Sequence, residues 1–380
     1  MKLDTRPECQ NKIANGATRY KFPRRPPPKE VFSLRFQTGS RFRQRIPLLV
    51  CLLCFAVSVC GVDEKPVALR LGFFPNITHA QALYARATGL FEKNLPIQWT
   101  AFNAGPTAIE ALFASEIDAA FIGPGPTING YVKSHGEKFV IIAGSASGGA
   151  ALVVRGDSRI VTDRDFGGKT IATPQLGNTQ DISARIWFRQ KGYRDTASGG
   201  TVNLIALSDP DQLTMFKEKQ IDGAWTVEPW VSRLVLQAGG RVFLNEKDIW
   251  PEGKYVTTHL VVSRAFLRNH ANEVRNLLRA HIKVTQLIAT NPAAAMTILN
   301  GQILKETGRA LSPEIIQRSL QRVQLTWDPI ASSLYKDARA AHEIRFLRQE
   351  LDLTGIYDLT LLNQVLAEDH LPAITNQTDH

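Results

Sequence analysis

With 380 residues, 44% of them hydrophobic and 21% charged, the chain has enough apolar material for two ordinary domains and cannot be disordered throughout. All four cysteines, Cys9, Cys51, Cys54 and Cys60, fall in the first 60 residues, so whatever folds after them has no disulfide, thiolate metal site or cysteine nucleophile. The charge is as uneven: residues 1–61 carry 12 Lys+Arg against 3 Asp+Glu, leaving 33 against 32 beyond them, so the net charge of +10 belongs to the leader and points to no nucleic-acid partner for the body.

Within the leader, Ile46 to Cys60 is a run of 15 apolar or small residues behind Arg35, Arg41, Arg43 and Arg45. That is short for a membrane span of roughly 20 residues, and it has the charged and apolar regions of a secretory signal, which predicts export. Cys60 is a candidate lipid-accepting cysteine, although Val59 is larger than the residue lipoprotein signals place there. Residues 1–32 are long for the charged region of a signal, consistent with an upstream start or a basic tail. Arg24-Arg25 lacks the apolar context of a twin-arginine signal.

From Val67 the pattern is strand, loop, helix, repeated. Val67 to Gly72 reads as a strand, and Ala80, Leu83, Tyr84, Ala87, Leu90 and Phe91 form a helical stripe. Strands at 97–102, 118–122 and 139–143 alternate with helices at 107–114 and 127–134. Gly144 to Gly149 breaks the rhythm, and 151–155 leaves it extended. A second series has strands at 169–173, 202–207 and 222–227, with helices near 181–190, from Asp209-Pro210, and from Pro229 to Gly239-Gly240. Strands alternating with helices at this spacing predict two α/β lobes with parallel sheets. The expected division is 1–61 leader, 62–150 first lobe, 151–258 second lobe, and 259–380 a mostly helical return to the first. Ile117-Asp-Ala-Ala-Phe121 and Ile221-Asp-Gly-Ala-Trp225 echo one another and favour lobes of like topology.

In an open parallel sheet, ligands sit beyond the carboxyl ends of the strands, where helix N–H groups point outward. Four such junctions carry small or amide residues: Asn76-Ile-Thr-His79, Asn103-Ala-Gly-Pro-Thr107, Gly123-Pro-Gly-Pro-Thr127 and Gln175-Leu-Gly-Asn-Thr-Gln180. Pro106 and Pro126 suit a first helical position, and Asn178 with Asp181 resembles a capping box. None of the four has a carboxylate ahead of its helix, so together they could hold an oxyanion without a lysine. Each alone is equally well an ordinary cap or turn. Glu228, between a strand and a helix, reads equally as a partner for a ligand amine and as a helix cap. Trp225 and Trp230 read as core sooner than as a ligand platform, and His79 as either a neutral donor or a helix-surface residue. Serine-elbow, Walker, zincin and dinucleotide signatures are missing.

These residues bear a resemblance. From about Val67 to Glu368 the chain resembles the solute-binding proteins of bacterial ABC importers in the aliphatic sulfonate, taurine and nitrate group, related to thiamine-precursor-binding proteins. The resemblance rests on Gly72-Phe-Phe-Pro-Asn-Ile-Thr-His-Ala80, Phe102 to Pro106, Ile122 to Pro126, Ala172 to Gln180, Glu228-Pro-Trp230 and Asp328-Pro-Ile-Ala-Ser-Ser333. It implies a type II periplasmic binding fold, two lobes that close over one small molecule and present it to a membrane permease. By family position the ligand would meet Asn76, Thr78, His79, Asn103, Gly105, Thr107, Gly123, Gly125, Gln175, Asn178, Thr179, Gln180 and Glu228.

The leading expectation is therefore an extracytoplasmic, monomeric binding protein that captures a small sulfonate or similar oxyanion, with no cofactor, metal or covalent chemistry. The alternative keeps the fold and gives Glu228, with Trp225 and Trp230, a zwitterion or an aminopyrimidine to hold. An enzyme on this scaffold is the third, since fold does not fix function; porphyrin synthases of this kind hold their cofactor through a cysteine, which the body lacks.

Overall fold

A computed structural model describes residues 67–93 and 95–375. The basic leader, the apolar run at 46–60, Cys60 and the start of the chain lie outside the described residues. The first lobe opens with β1 (Leu69–Phe73), α1 (Ala80–Thr88), β2 (Ile97–Ala101), α2 (Gly105–Phe113), β3 (Ala119–Ile122), α3 (Pro124–Lys133) and β4 (Phe139–Gly148). The second has β5 (Ala150–Arg155), β6 (Thr170–Thr173), α4 (Thr179–Gln190), β7 (Asn203–Ala206), α5 (Asp209–Lys217), β8 (Gly223–Val227), α6 (Trp230–Ala238) and β9 (Gly240–Asn245). The chain then returns as β10 (Val256–Ser263), α7 (Arg264–Asn269), α8 (Ala271–Thr290), α9 (Pro292–Thr307), α10 (Pro313–Arg322), β11 (Val323–Leu325), α11 (Ala331–Glu343) and α12 (Thr360–Glu368).

Two sheets result, one ordered β11-β4-β10-β3-β1-β2 and the other β7-β6-β8-β5-β9. They are mixed rather than wholly parallel. β1, β2 and β3 are parallel, as are β6, β7 and β8, because each is joined to the next through a helix. β5 and β10 run against their neighbours. Each is the first strand after the chain changes sheets, so it enters at the edge where the parallel strands end and must run the other way.

The segment expected to break the rhythm after Ala143 is instead the second half of β4. Ser145, Ala146 and Ser147 are buried in it, and it pairs with both β10 and β11. Small side chains hide a strand from hydrophobic patterning while letting two neighbours approach. The break comes at Gly148 and Gly149, with φ of 79° and 82°, a region open to glycine at little cost. There the chain turns into β5 with no helix between.

Burial follows the predicted stripes. Val274, Leu277, Leu278, His281 and Ile282 of α8 are all buried in the large core around the six-stranded sheet. The second lobe is centred on Phe166, whose ring meets Phe243, Phe188 and Trp187 edge-on at centroid distances of 5.0, 5.1 and 5.5 Å. Such pairs contribute about 0.5–1.5 kcal/mol each beyond their burial. Trp225 belongs to this core: it is fully buried, and its Nε1 donates to Glu246 Oε2 at 2.7 Å. Replacing Phe166 by Ala should destabilise the protein by about 3–5 kcal/mol. Urea unfolding checks this, and a loss under 1 kcal/mol would show that the aromatic cluster does not hold the second lobe.

Candidate functional site

Five helices or helical turns begin at the edge where the two lobes meet. The first is the 3-10 turn Ile77–His79. Asn76 caps it, with Oδ1 accepting from the Thr78 N–H at 3.1 Å and the Thr78 hydroxyl at 2.8 Å. On the opposite lobe Asn178 caps α4 in the same way, its Oδ1 accepting from the Gln180 N–H at 2.9 Å. In both, the carbonyl oxygen is committed to the backbone, so what each asparagine still offers is its NH2 donor.

These caps face a shared cavity of about 30 Å3, lined from the first lobe by Asn76, Thr78, His79, Asn103, Gly105 and Gly123, and from the second by Asn178, Thr179 and Gln180. That is room for roughly two waters by the threshold of about 10–15 Å3 each. Gln180 is only 5% exposed, and its side-chain amide has no protein hydrogen bond among the described residues. His79, 2% exposed, accepts the Phe74 N–H on Nδ1 at 3.3 Å, which puts its proton on Nε2. Burial pushes its pKa down to about 3, so it is a neutral donor throughout the physiological range.

The cavity wall contains no lysine or arginine. Its one carboxylate is Asp209, the first residue of α5. The Thr226 hydroxyl donates to its Oδ1 at 2.8 Å. A helix N-terminus favours a charged acid, yet burial outweighs the hydroxyl and the nearby Arg233 charge and raises the pKa to about 6. Thr257, Phe74, Pro126, Pro174 and Val227 complete the wall. Sequence reasoning passed over Asp209 as a helix-opening residue. The signal was present: it sits at a strand-to-helix junction of the second series, equivalent to the four that were singled out. Among the described residues no group of three or more His, Cys, Asp or Glu side chains is placed to hold a metal ion.

Four residues expected at the ligand lie off the cavity wall. The Thr107 hydroxyl donates back to the Ala104 carbonyl at 2.8 Å, and the residue is exposed. Gln175 sits in the turn before α4, where its carbonyl accepts the Asn178 N–H. Gly125 is covered by Thr179. Glu228 is fully buried elsewhere: its carboxylate accepts from the Ser232 N–H and hydroxyl at 3.1 and 3.0 Å and from the Ser319 hydroxyl at 3.0 Å, and pairs with Arg322 Nε at 2.8 Å. Burial raises its pKa and Arg322 opposes the rise. It is a helix cap that ties α6 to α10, which resolves the two readings of this residue in favour of the cap. The capping box is corrected too, since Asp181 accepts from the Gly177 N–H and the Thr173 hydroxyl.

The lobes touch where the N-termini of α3 and α4 meet. α3 starts at Pro124, three residues before the predicted helix, so Pro124 and Pro126 both fall in its first turn and remove two donors. A third, Gly125 N–H, donates across the cleft to Thr179 Oγ1 at 3.2 Å. The contact needs bare backbone: a Cβ on Gly123 would lie 2.3 Å from Thr179 Oγ1, and one on Gly125 would lie 2.9 Å from Thr179 Cα. Gly123→Ala should therefore hold the lobes apart, giving a larger radius of gyration in small-angle X-ray scattering with an unfolding midpoint within a few degrees of the parent. Thr179→Ala on that background should restore part of the compaction. An unchanged radius for Gly123→Ala would mean that the lobes do not close on this contact.

Residues 62–300 match the profile of the NMT1-like family. The chain is 26% identical over 211 residues to a putative aliphatic sulfonates-binding protein of Escherichia coli (strain K12), covering 54% of this chain and 64% of that one, just under two thirds of its length. It is 22% identical over 240 residues to the taurine-binding periplasmic protein of the same strain, covering 63% and 72%. The crystal structure of the periplasmic aliphatic sulphonate binding protein of Escherichia coli superposes with a TM-score of 0.64 at 22% identity, covering 77% of this chain and 92% of that one. The likeness shows the periplasmic binding fold of two α/β lobes that the resemblance implied.

Proposed function

The chain belongs to the NMT1-like family, and from that premise and the chemistry of the cleft we propose that it is the solute-binding component of an ABC importer, capturing a small sulfonate or similar oxyanion by lobe closure. The observation that carries this is the make-up of the cavity wall: carboxamides at Asn76, Asn103, Asn178 and Gln180 and the His79 Nε2–H, with no fixed cation. Two helix N-termini brought face to face are each worth about half a positive charge. An oxyanion in the cavity beside them offsets that charge and takes up the carboxamide and imidazole donors, so ligand and closure stabilise each other.

On this reading the lobes are 62–150 with 259–380, and 151–258, and the ligand meets the nine predicted residues on the cavity wall. The name of the taurine-binding periplasmic relative supports an extracytoplasmic location, and a membrane permease as partner and a monomeric state belong to the same proposal. A signal in the leader and an anchor at Cys60 belong to the same proposal. Calorimetric titration of the purified chain with ethanesulfonate, taurine and nitrate tests it. Micromolar or tighter binding to at least one is expected, and no heat from any of them would reject it.

Asp209 favours a second reading, a zwitterion whose ammonium meets this carboxylate while its oxyanion meets the donors. A hydrogen bond to a charged group contributes about 1.5–3 kcal/mol, so Asp209→Asn should weaken taurine relative to ethanesulfonate by about tenfold or more. The pH dependence has a definite sign. Below about 6 the Asp209 carboxyl takes up a proton and loses its charge, so the taurine-to-ethanesulfonate affinity ratio should fall between pH 7.5 and 5. His79 is already neutral across that window and adds nothing to the change. A ratio that stays level in both experiments removes Asp209 from amine recognition.

A further inference from the structure

The small cavity does not end blindly. Phe74, Asn76, Asn103 and Asp209 line both it and a neighbouring groove of about 730 Å3 that opens to solvent between the lobes. Asp209 stands at the junction of the two. A ligand larger than its oxyanion head therefore extends past these four residues, Asp209 among them, into the groove.

The groove differs from the cavity in charge. Arg233 of α6 lies half-buried over the Trp230 ring, 4.2 Å from its centroid, with Nε donating to Gln237 Oε1 at 3.1 Å. Arg309, in the loop after α9, and Lys217, at the end of α5, line the same space. None of these three has an ion-pair partner among the described residues. The carboxylate of Glu306, also on this wall, is taken by Arg86 at 2.9 Å. Burial and then the like charge of Arg309 lower the Arg233 pKa, and the Asp209 carboxylate opposes them. Two guanidiniums that disfavour each other across a groove form a site for an anion, and the stacked Trp230 face holds one of them in place.

Read outward from the cavity, the lining therefore presents oxyanion donors, then a carboxylate, then cations. We infer that the ligand of this cleft is a sulfonate-bearing α-amino acid: sulfonate on the donors of the small cavity, α-ammonium on Asp209, and α-carboxylate on Arg233 and Arg309. The inference rests on the oxyanion-binding reading above and extends it by a third recognition point. Neither taurine, which lacks the carboxylate, nor 3-sulfopropanoate, which lacks the ammonium, fills all three.

Calorimetric titration of the purified full chain with 2-amino-3-sulfopropanoate, taurine, 3-sulfopropanoate and ethanesulfonate tests it. The amino acid should bind at least tenfold more tightly than either of its truncated forms. In Arg233→Gln/Arg309→Gln the preference for the amino acid over taurine, measured on the same variant, should shrink to within about twofold. Arg309→Gln alone, in an exposed loop, should reduce it part of the way and serves if the double variant does not fold. Equal affinity for 2-amino-3-sulfopropanoate and taurine in the parent chain overturns the third recognition point while leaving the oxyanion reading standing. Absence of binding by all four ligands overturns both.

Discussion

Everything in this molecule turns on two helix N-termini of like sign brought against each other. α3 and α4 belong to different lobes, and their first turns meet at Gly123, Gly125 and Thr179, so closely that side chains on the glycines would collide with Thr179. Such an encounter is electrostatically unfavourable on its own, because each terminus carries partial positive charge and donors without intrahelical partners. The sequence around it reduces the difficulty from both sides. Prolines 124 and 126 strip donors from one helix, and Asn178 occupies one of those of the other. What is left is a short-range positive field with neutral donors arranged around it.

Neutral donors have a physical merit over lysine or arginine here. A buried cation would carry a desolvation cost whenever the cleft is closed without a counter-charge. Carboxamides and a neutral imidazole carry a much smaller one, and His79 is kept neutral by the same burial that makes it a good donor. Cations appear only where the groove opens to water, at Arg233, Arg309 and Lys217, where hydration makes them affordable. The gradient from uncharged donors inside to charged ones outside follows from solvent access alone.

Much of this was legible beforehand, and the reasons differ by residue. The βα repeat was plain from period-two and period-3.6 patterning, and the strands from Leu69 to Val227 fall within about two residues of their predicted spans, β4 excepted. The second half of β4 was hidden because serine, alanine and glycine carry no hydrophobic signal even when fully buried. Antiparallel β5 and β10 were invisible because strand direction is set by where the chain crosses between lobes, a nonlocal fact. Asn76, His79, Asn178 and Gln180 stood out because amide and imidazole groups at strand-to-helix junctions can cap a helix or face the cleft, and all four line the small cavity. Glu228 sat at an equally suggestive junction, and nothing local foretold that Ser319 and Arg322, some ninety residues later in the chain, would draw its carboxylate away. Asp209 was missed for the opposite reason, since an acid opening a helix looks like routine dipole compensation.

The single remaining donor in the first turn of α3 that is offered across the cleft goes to the Thr179 hydroxyl. The latch of the two halves is thus built from protein alone, and the groups free to choose a guest stand beside it. On the proposed reading, substitution at Asn103 or Gln180, whose carboxamides take no part in the helix caps, retunes which compound is bound without touching the fastening itself. Selectivity and closure are in that sense separable, much as a single clasp serves boxes of differing contents.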